Sequence, residues 1–208
     1  MKQIKALVID DEKIVLDSVK KILAAENYAV EVSLSGISGI RLAVAQPFDV
    51  VLTDIRMPDI GGLIVLRDIK RAKPDLPVII ITGYGTVRSA IQAMKLGAAD
   101  YIEKPFSPDQ LMAAVVGVMA AKGERAPEVQ KIVNVKEMRR VLSLAATDEV
   151  FRRDLMQNGA DALDDCQLTG PEKLAVITGD IGWIEAQMGP LPKEQKQWLE
   201  ARLSAEVW

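Results

Sequence analysis

Five short apolar runs alternate with segments whose apolar residues recur at helical spacing, and this alternation restricts the fold more than any other feature. The runs are Ala6–Ile9, Val30–Leu34, Val50–Thr53, Val78–Thr82 and the short pair Tyr101 and Ile102. Between them, Ile14, Val15, Val19, Ile22 and Leu23 repeat as one face of a helix. The same holds for Ile37, Ile40, Leu42 and Ala43, for Leu63, Leu66, Ile69 and Lys70, and for Val87, Ile91, Met94 and Leu96. After Pro105, Leu111, Val115, Val118 and Met119 make a fifth such face. Strands that are apolar throughout belong in a sheet covered on both sides. Strict β–α alternation with right-handed crossovers makes that sheet parallel, open and doubly wound. The expected class is α/β with a five-stranded flavodoxin-like sheet over residues 1–121, followed by a small all-α domain. In such sheets the working site lies at the carboxyl ends of the strands.

Composition narrows the chemistry available at that edge. The chain has 208 residues, 49% of them apolar, enough for a substantial core. It has no histidine, which removes histidine bases, Ser-His-Asp triads and histidine-ligated metals. A single cysteine, Cys166, excludes an internal disulfide and a cysteine-built zinc site and fits a reducing compartment. The apolar part of the N-terminus is too short for a secretion signal, and no run approaches the length of a membrane span. A cytoplasmic protein is expected.

Residues 122–134, charged at first and carrying Pro127, read as a linker. Beyond it, helices are expected over Val135–Asn158 with an interruption near Thr147, over Pro171–Thr178 behind the capping pattern Thr169-Gly-Pro-Glu, around Ile181, Ile184 and Met188, and from Pro192 through Trp198, Leu199 and Leu203. Trp183, Trp198 and Trp208 are expected as core or cap residues of this part. Residues 1–125 carry net charge +1 and residues 126–208 carry −4. A net negative C-terminal part lacks the basic footprint of a nucleic-acid binder, so DNA is not an expected partner.

The first run ends in Asp10-Asp11, the third in Asp54 and the fourth in Thr82, while the fifth is followed by Lys104. Each residue alone has an ordinary reading as a loop acid, a helix cap, an edge hydroxyl or a surface lysine. Together, the fold brings three carboxylates, a hydroxyl and an ammonium to one edge. Clustered carboxylates repel unless a cation sits among them, and an oxygen-only set suits Mg2+. A carboxylate in such a site can act as the nucleophile of phosphoryl transfer with no histidine base. Lys104 can then pair with one phosphoryl oxygen and Thr82 can hydrogen-bond another.

Four stretches carry a family resemblance: Val-Ile-Asp-Asp-Glu (8–12), Asp-Val-Val-Leu-Thr-Asp-Ile-Arg-Met-Pro-Asp (49–59), Ile-Ile-Thr-Gly-Tyr-Gly (80–85) and Ala-Asp-Tyr-Ile-Glu-Lys-Pro-Phe (99–106). Over residues 3–121 the chain resembles response-regulator receivers of the nitrogen-regulator type, from two-component phosphorelays. The resemblance implies Asp54 as phosphoacceptor, Asp11 as a direct Mg2+ ligand with Asp10 acting through water, and the backbone carbonyl of Arg56 as a further ligand. It implies Thr82 and Lys104 as readers of the phosphoryl group, Tyr101 as an aromatic switch, a cis bond before Pro105, and Arg56 and Tyr84 at positions that tune phosphoryl lifetime. The implied partners are a sensor histidine kinase and a second copy of the chain, joined through the face of the fourth helix, fifth strand and fifth helix.

The C-terminal part carries no basic recognition helix and no phosphate-binding glycine loop. Ala-Thr-Asp-Glu-Val-Phe-Arg-Arg-Asp-Leu and Leu-Thr-Gly-Pro-Glu-Lys-Leu-Ala-Val-Ile-Thr-Gly-Asp, within Leu142–Gly189, resemble the small all-helical subunit of protocatechuate-type ring-opening dioxygenases. That subunit supplies shape, and without histidine no dioxygenase chemistry is carried over. The expectation is therefore a signalling protein, not an enzyme, whose helical domain engages a downstream protein. Two alternatives stand beside it: a DNA-binding regulator with an atypical output domain, and an enzyme module built on Asp161, Asp164 and Asp165.

Overall fold

The apolar runs become five parallel strands in the order β2-β1-β3-β4-β5. The computed structural model describes residues 3–83, 90, 93–122 and 130–204, with the backbone alone for 203 and 204. The elements are β1 (Lys5–Ile9), α1 (Lys13–Ala25), β2 (Ala29–Ser33), α2 (Gly36–Ala45), β3 (Val50–Thr53), α3 (Gly62–Ala72), β4 (Val78–Thr82), β5 (Asp100–Glu103) and α4 (Pro108–Ala120). Of the helix expected over 87–96, residues 87–89, 91 and 92 lie outside the described residues, while 90 and 93–95 are helical. Hence α4 is the fifth helix of the sequence reading. The chain divides into two compact units, Met1–Pro127 and Glu128–Trp208. Among the described residues no helix is long and apolar enough to cross a membrane.

Strand register explains why the runs are apolar throughout. Ala6 and Val8 stand beside Val50 and Leu52, Leu52 beside Ile79, and Ile81 beside Ile102. These residues form one sheet face, closed by Leu16, Val19 and Leu23 of α1 and by Leu111, Val115 and Val118 of α4. The alternating residues Leu7, Ile9, Val51 and Ile80 are just as buried, on the other face. There α2 lies so close that a side chain at Gly39 would collide with Ile9.

Local capping fixes where the helices begin. At α4, Ser107 Oγ accepts from Gln110 N–H at 3.2 Å, and Gln110 returns a bond to Ser107 N–H at 2.8 Å. At α2, Asp59 from the loop after β3 accepts from Ser35 Oγ at 2.7 Å, Ile37 N–H at 3.0 Å and Gly36 N–H at 3.2 Å. Partial burial pushes the Asp59 carboxyl up, but these three bonds outweigh it and hold its pKa below the usual 3.8. A carboxyl whose pKa is lower folded than unfolded stabilises the fold above the unfolded value, and this contribution fades as pH falls through the folded one. Asp59→Asn is therefore expected to cost about 1 kcal/mol at pH 7, the side chain being solvent-exposed, with the difference from wild type closing below about pH 3.8. Urea unfolding at pH 7 and pH 3 checks this.

The second unit is helical: α5 (Val135–Thr147), α6 (Glu149–Asn158), a 3-10 turn (Gly159–Leu163), α7 (Gly170–Ile177), α8 (Ile181–Met188) and α9 (Lys193–Ser204). Asp148 separates α5 from α6, because its side chain turns back to accept from Val150 and Phe151 N–H at 2.8 and 3.0 Å. Met138, Val141, Leu142, Ala145, Leu155, Ala175, Ile184 and Leu199 form its buried interior. Trp198 is buried and Trp183 half-buried, while Trp208 lies outside the described residues.

Candidate functional site

The pairing of β1 with β3 places Ile9 beside Thr53, so the residues that follow, Asp10 and Asp54, leave the sheet side by side. Backbone bonds hold both: Asp54 N–H donates to Ile9 O and Asp10 N–H to Ser33 O, each at 3.0 Å. On the far side, Thr82 stands beside Glu103, and Lys104 N–H donates to Thr82 O at 2.8 Å. From there the Lys104 side chain reaches across the strand ends. Its Nζ lies 2.6 Å from Asp10 Oδ2, 2.9 Å from Asp54 Oδ2 and 3.4 Å from Glu12 Oε1.

Burial sets the electrostatics. Asp10, Asp54 and Thr82 are buried, and the Lys104 side chain is only 12% exposed. Desolvation is the largest influence on Asp10 and raises its pKa; the Lys104 and Glu12 N–H bonds oppose it, and the Asp54 charge adds to it. Burial works against the Lys104 ammonium, but its bonds to Asp10 and Asp54 and their charges outweigh that, so its pKa is raised. The lysine is thus a cation held among carboxylates.

Gly62, the first residue of α3, permits the tight turn behind Asp54. Its N–H donates to Ile55 O at 2.7 Å. A Cβ there would overlap the Asp54 carbonyl oxygen and stand 2.8 Å from both the Asp54 carbonyl carbon and Ile55 Cα. These are backbone atoms with no rotamer to turn away. Gly62→Ala is expected to destabilise the first unit by about 2 kcal/mol, as measured by urea unfolding.

The structure brings Asp10, Asp54, Thr82 and Lys104 of the expected set to one edge. Asp11 differs. It is exposed, and the carboxylates whose oxygens lie within 4.8 Å of one another are Asp10, Glu12 and Asp54. The chain bends at residue 11, Glu12 N–H donates to Asp10 Oδ1 at 2.9 Å, and the Glu12 carboxylate reaches Lys104 as Asp10 does. Glu12 stood in the quoted acidic stretch, and its two-residue offset from Asp10 was the available signal. Arg56 is exposed, and its N–H donates to Asp54 Oδ1 at 3.2 Å, turning the loop back over the carboxylate. Tyr101 is half-buried on β5. With Lys104, Pro105, Gln110 and Ala114 it lines a cavity of about 340 Å3. The Lys104–Pro105 peptide is cis. Tyr84 lies outside the described residues.

The residues present fit a divalent cation. Asp10 and Asp54, both buried, and Glu12, exposed, offer an all-oxygen set within the spacing one ion can bridge.

Comparison with known proteins agrees with this geometry. Residues 6–116 match the family model described as "Response regulator receiver domain". The "Putative response regulator NtrX-like" of Rickettsia felis is 37% identical over 114 residues, covering 54% of this chain and 24% of that protein. The "Transcriptional regulatory protein CusR" of Escherichia coli strain K12 is 32% identical over 111 residues, 53% of this chain and 49% of its own. The chain thus spans half or less of these curated relatives. Among solved structures, a response regulator receiver domain protein from Clostridium thermocellum is similar with a TM-score of 0.54 and 38% identity, over 57% of this chain and 96% of that one. The beryllofluoride-activated NtrC4 receiver domain dimer has a TM-score of 0.55 and 32% identity, over 57% and 98%. The family match ends at residue 116, and the dioxygenase-subunit resemblance of Leu142–Gly189 gains no support from these comparisons.

Proposed function

The chain belongs to the response regulator receiver domain family, and on that footing we propose that Asp54 is its phosphoacceptor, served by a sensor histidine kinase. The observation that carries this is the shared ammonium: one Lys104 Nζ bonded to both Asp54 and Asp10 at the strand ends. An Asp54 carboxylate oxygen attacks phosphorus, the bond from phosphorus to the kinase imidazole nitrogen breaks, and an acyl phosphate results. Lys104 then exchanges part of its carboxylate pairing for a phosphoryl oxygen, and the Thr82 hydroxyl donates to another. Asp10, Glu12 and Asp54 would hold Mg2+, which when bound neutralises phosphoryl charge. Asp11 and the Arg56 carbonyl stay in the ligand set on the strength of the motif match alone.

Members of this family are generally signalling proteins without a turnover reaction of their own; slow self-catalysed loss of the phosphoryl group is part of the proposal. Phosphorylation shifts Thr82 and Tyr101 between two arrangements of the β5–α4 region, because the phosphoryl oxygens bind one of them better. That shift is read by a protein partner, including a second copy of this chain. Output through DNA is the second reading. Against it, three of the four arginines in the C-terminal basic pairs are bonded within their own unit. Arg140 is bonded to Glu137 at 2.7 Å, Arg139 to Met188 O at 3.2 Å, and Arg152 to the carbonyls of Ala145 and Ala146 at 3.1 and 2.9 Å. Asp161, Asp164 and Asp165 do not gather into a carboxylate cluster among the described residues, which leaves the enzyme reading without a site.

Incubation with acetyl phosphate and Mg2+ tests the proposal. Wild type is expected to gain one phosphoryl group by intact mass, and Asp54→Asn none. Uptake by Asp54→Asn at the wild-type level would reject Asp54.

A further inference from the structure

Arg202, in the last turn of α9, is 2% exposed, and among the described residues no carboxylate pairs with it. Its Nε and Nη2 have no hydrogen-bond partner, and Nη1 meets only the thioether sulfur of Met156 at 3.0 Å, a weak acceptor. One turn earlier on the same helix face, the Trp198 indole N–H is also buried without a partner. A polar group buried without a partner is costly, and a charged one far more so. Here three donors collect on one helix face with no acceptor.

We infer that Arg202 and Trp198 form a binding site for a carboxylate-bearing ligand within the second unit. The unpartnered nitrogens choose the chemistry. Nε and Nη2 make up one edge of the guanidinium, whose two parallel N–H bonds match the two oxygens of a carboxylate. The indole N–H supplies a third donor. There is one cation, and the buried residues of the helices packed on α9 are apolar: Met138, Val141, Leu142 and Ala145 of α5 and Ile184 of α8. Such surroundings favour a monoanion over a phosphate or sulfate dianion, whose second charge would stay uncompensated. Met156, a flexible side chain that is 52% exposed although it covers Nη1, is the group an entering ligand would displace.

Thermal unfolding of the full chain followed by tryptophan fluorescence tests this, since all three tryptophans lie beyond residue 128. Relative to sodium chloride of equal ionic strength, sodium butyrate is expected to raise the wild-type Tm by roughly 5 °C near saturation and to leave Arg202→Met unmoved. In chloride alone, Arg202→Met is expected to be at least as stable as wild type, because it removes an uncompensated buried charge. Trp198→Phe keeps the ring and loses the N–H, so its half-saturation concentration is expected to rise about fivefold. An equal butyrate response in wild type and Arg202→Met overturns the site, as does an Arg202→Met protein less stable than wild type in chloride. An unchanged half-saturation in Trp198→Phe removes the indole from it. A sulfate response specific to Arg202 and as large as that to butyrate overturns the carboxylate assignment.

Discussion

Lys104→Met is expected to destabilise the first unit by about 3 kcal/mol in divalent-free buffer at pH 7, because it strips the cation from two buried carboxylates. Asp10 and Asp54 both contact the same Nζ, so one substitution unpairs both. The loss depends on pH with a definite sign. The Asp10 pKa is already raised, chiefly by desolvation, and removing Lys104 removes the main opposing influence. A carboxyl that binds its proton more tightly when folded favours the fold as pH falls through its raised value toward the ordinary 3.8. The Lys104→Met deficit should therefore be largest at neutral pH and shrink on acidification. Millimolar Mg2+ should recover a large part of it at pH 7 by supplying the missing positive charge among Asp10, Glu12 and Asp54. Urea unfolding at pH 5 and 7, with and without Mg2+, measures both effects. A deficit independent of pH and of Mg2+ would mean that the lysine matters for its packing alone.

The second large effect is expected in the other unit. Glu172 is fully buried, and its carboxylate accepts four bonds: from Val133 and Asn134 N–H at 2.8 and 3.0 Å, and from Thr169 N–H and Oγ at 2.7 and 2.9 Å. One side chain thus closes the start of α7 and fastens the strand of chain that leads into α5. Glu172→Ala leaves these donors without an acceptor and is expected to cost the second unit about 3 kcal/mol. Glu172→Gln keeps one acceptor but presents an NH2 group to the remaining donors, so a loss of about 2 kcal/mol is expected. Because Trp183, Trp198 and Trp208 all lie in this unit, tryptophan fluorescence during urea unfolding reports on it selectively. A loss below about 1 kcal/mol in the Ala variant would show that solvent replaces the carboxylate.

The strand runs and the residues at their ends were legible in the sequence for one physical reason. A strand buried on both faces must be apolar along its whole length, so any acid or hydroxyl at its end stands out. Asp10, Asp54, Thr82 and Lys104 were found that way. That Glu12 joins Asp10 and Asp54 in one carboxylate cluster depends on the bend of the chain at residue 11, which a run of adjacent acids conceals. Asp59 capping α2 from a different loop is a contact between residues more than twenty positions apart, which no local pattern encodes. The close approach at Gly62 left only a hint, the Gly61-Gly62 pair. In the second unit the capping pattern at Thr169 was readable, and so was the interruption near Thr147. The reach of Glu172 back to Val133 and Asn134 was not, because the residue had already been accounted for as a local cap. Nothing in the local sequence marks Arg202 as buried, because its burial comes from helices distant along the chain.

Borohydride reduction converts an aspartyl phosphate into homoserine, so peptide mass spectrometry after reduction identifies the phosphorylated residue. For protein treated with acetyl phosphate, the expected result is homoserine at position 54 alone, present with Mg2+ and absent with a chelator. Homoserine at another aspartate, or the same yield at position 54 without divalent cation, would contradict a carboxylate-held metal serving Asp54.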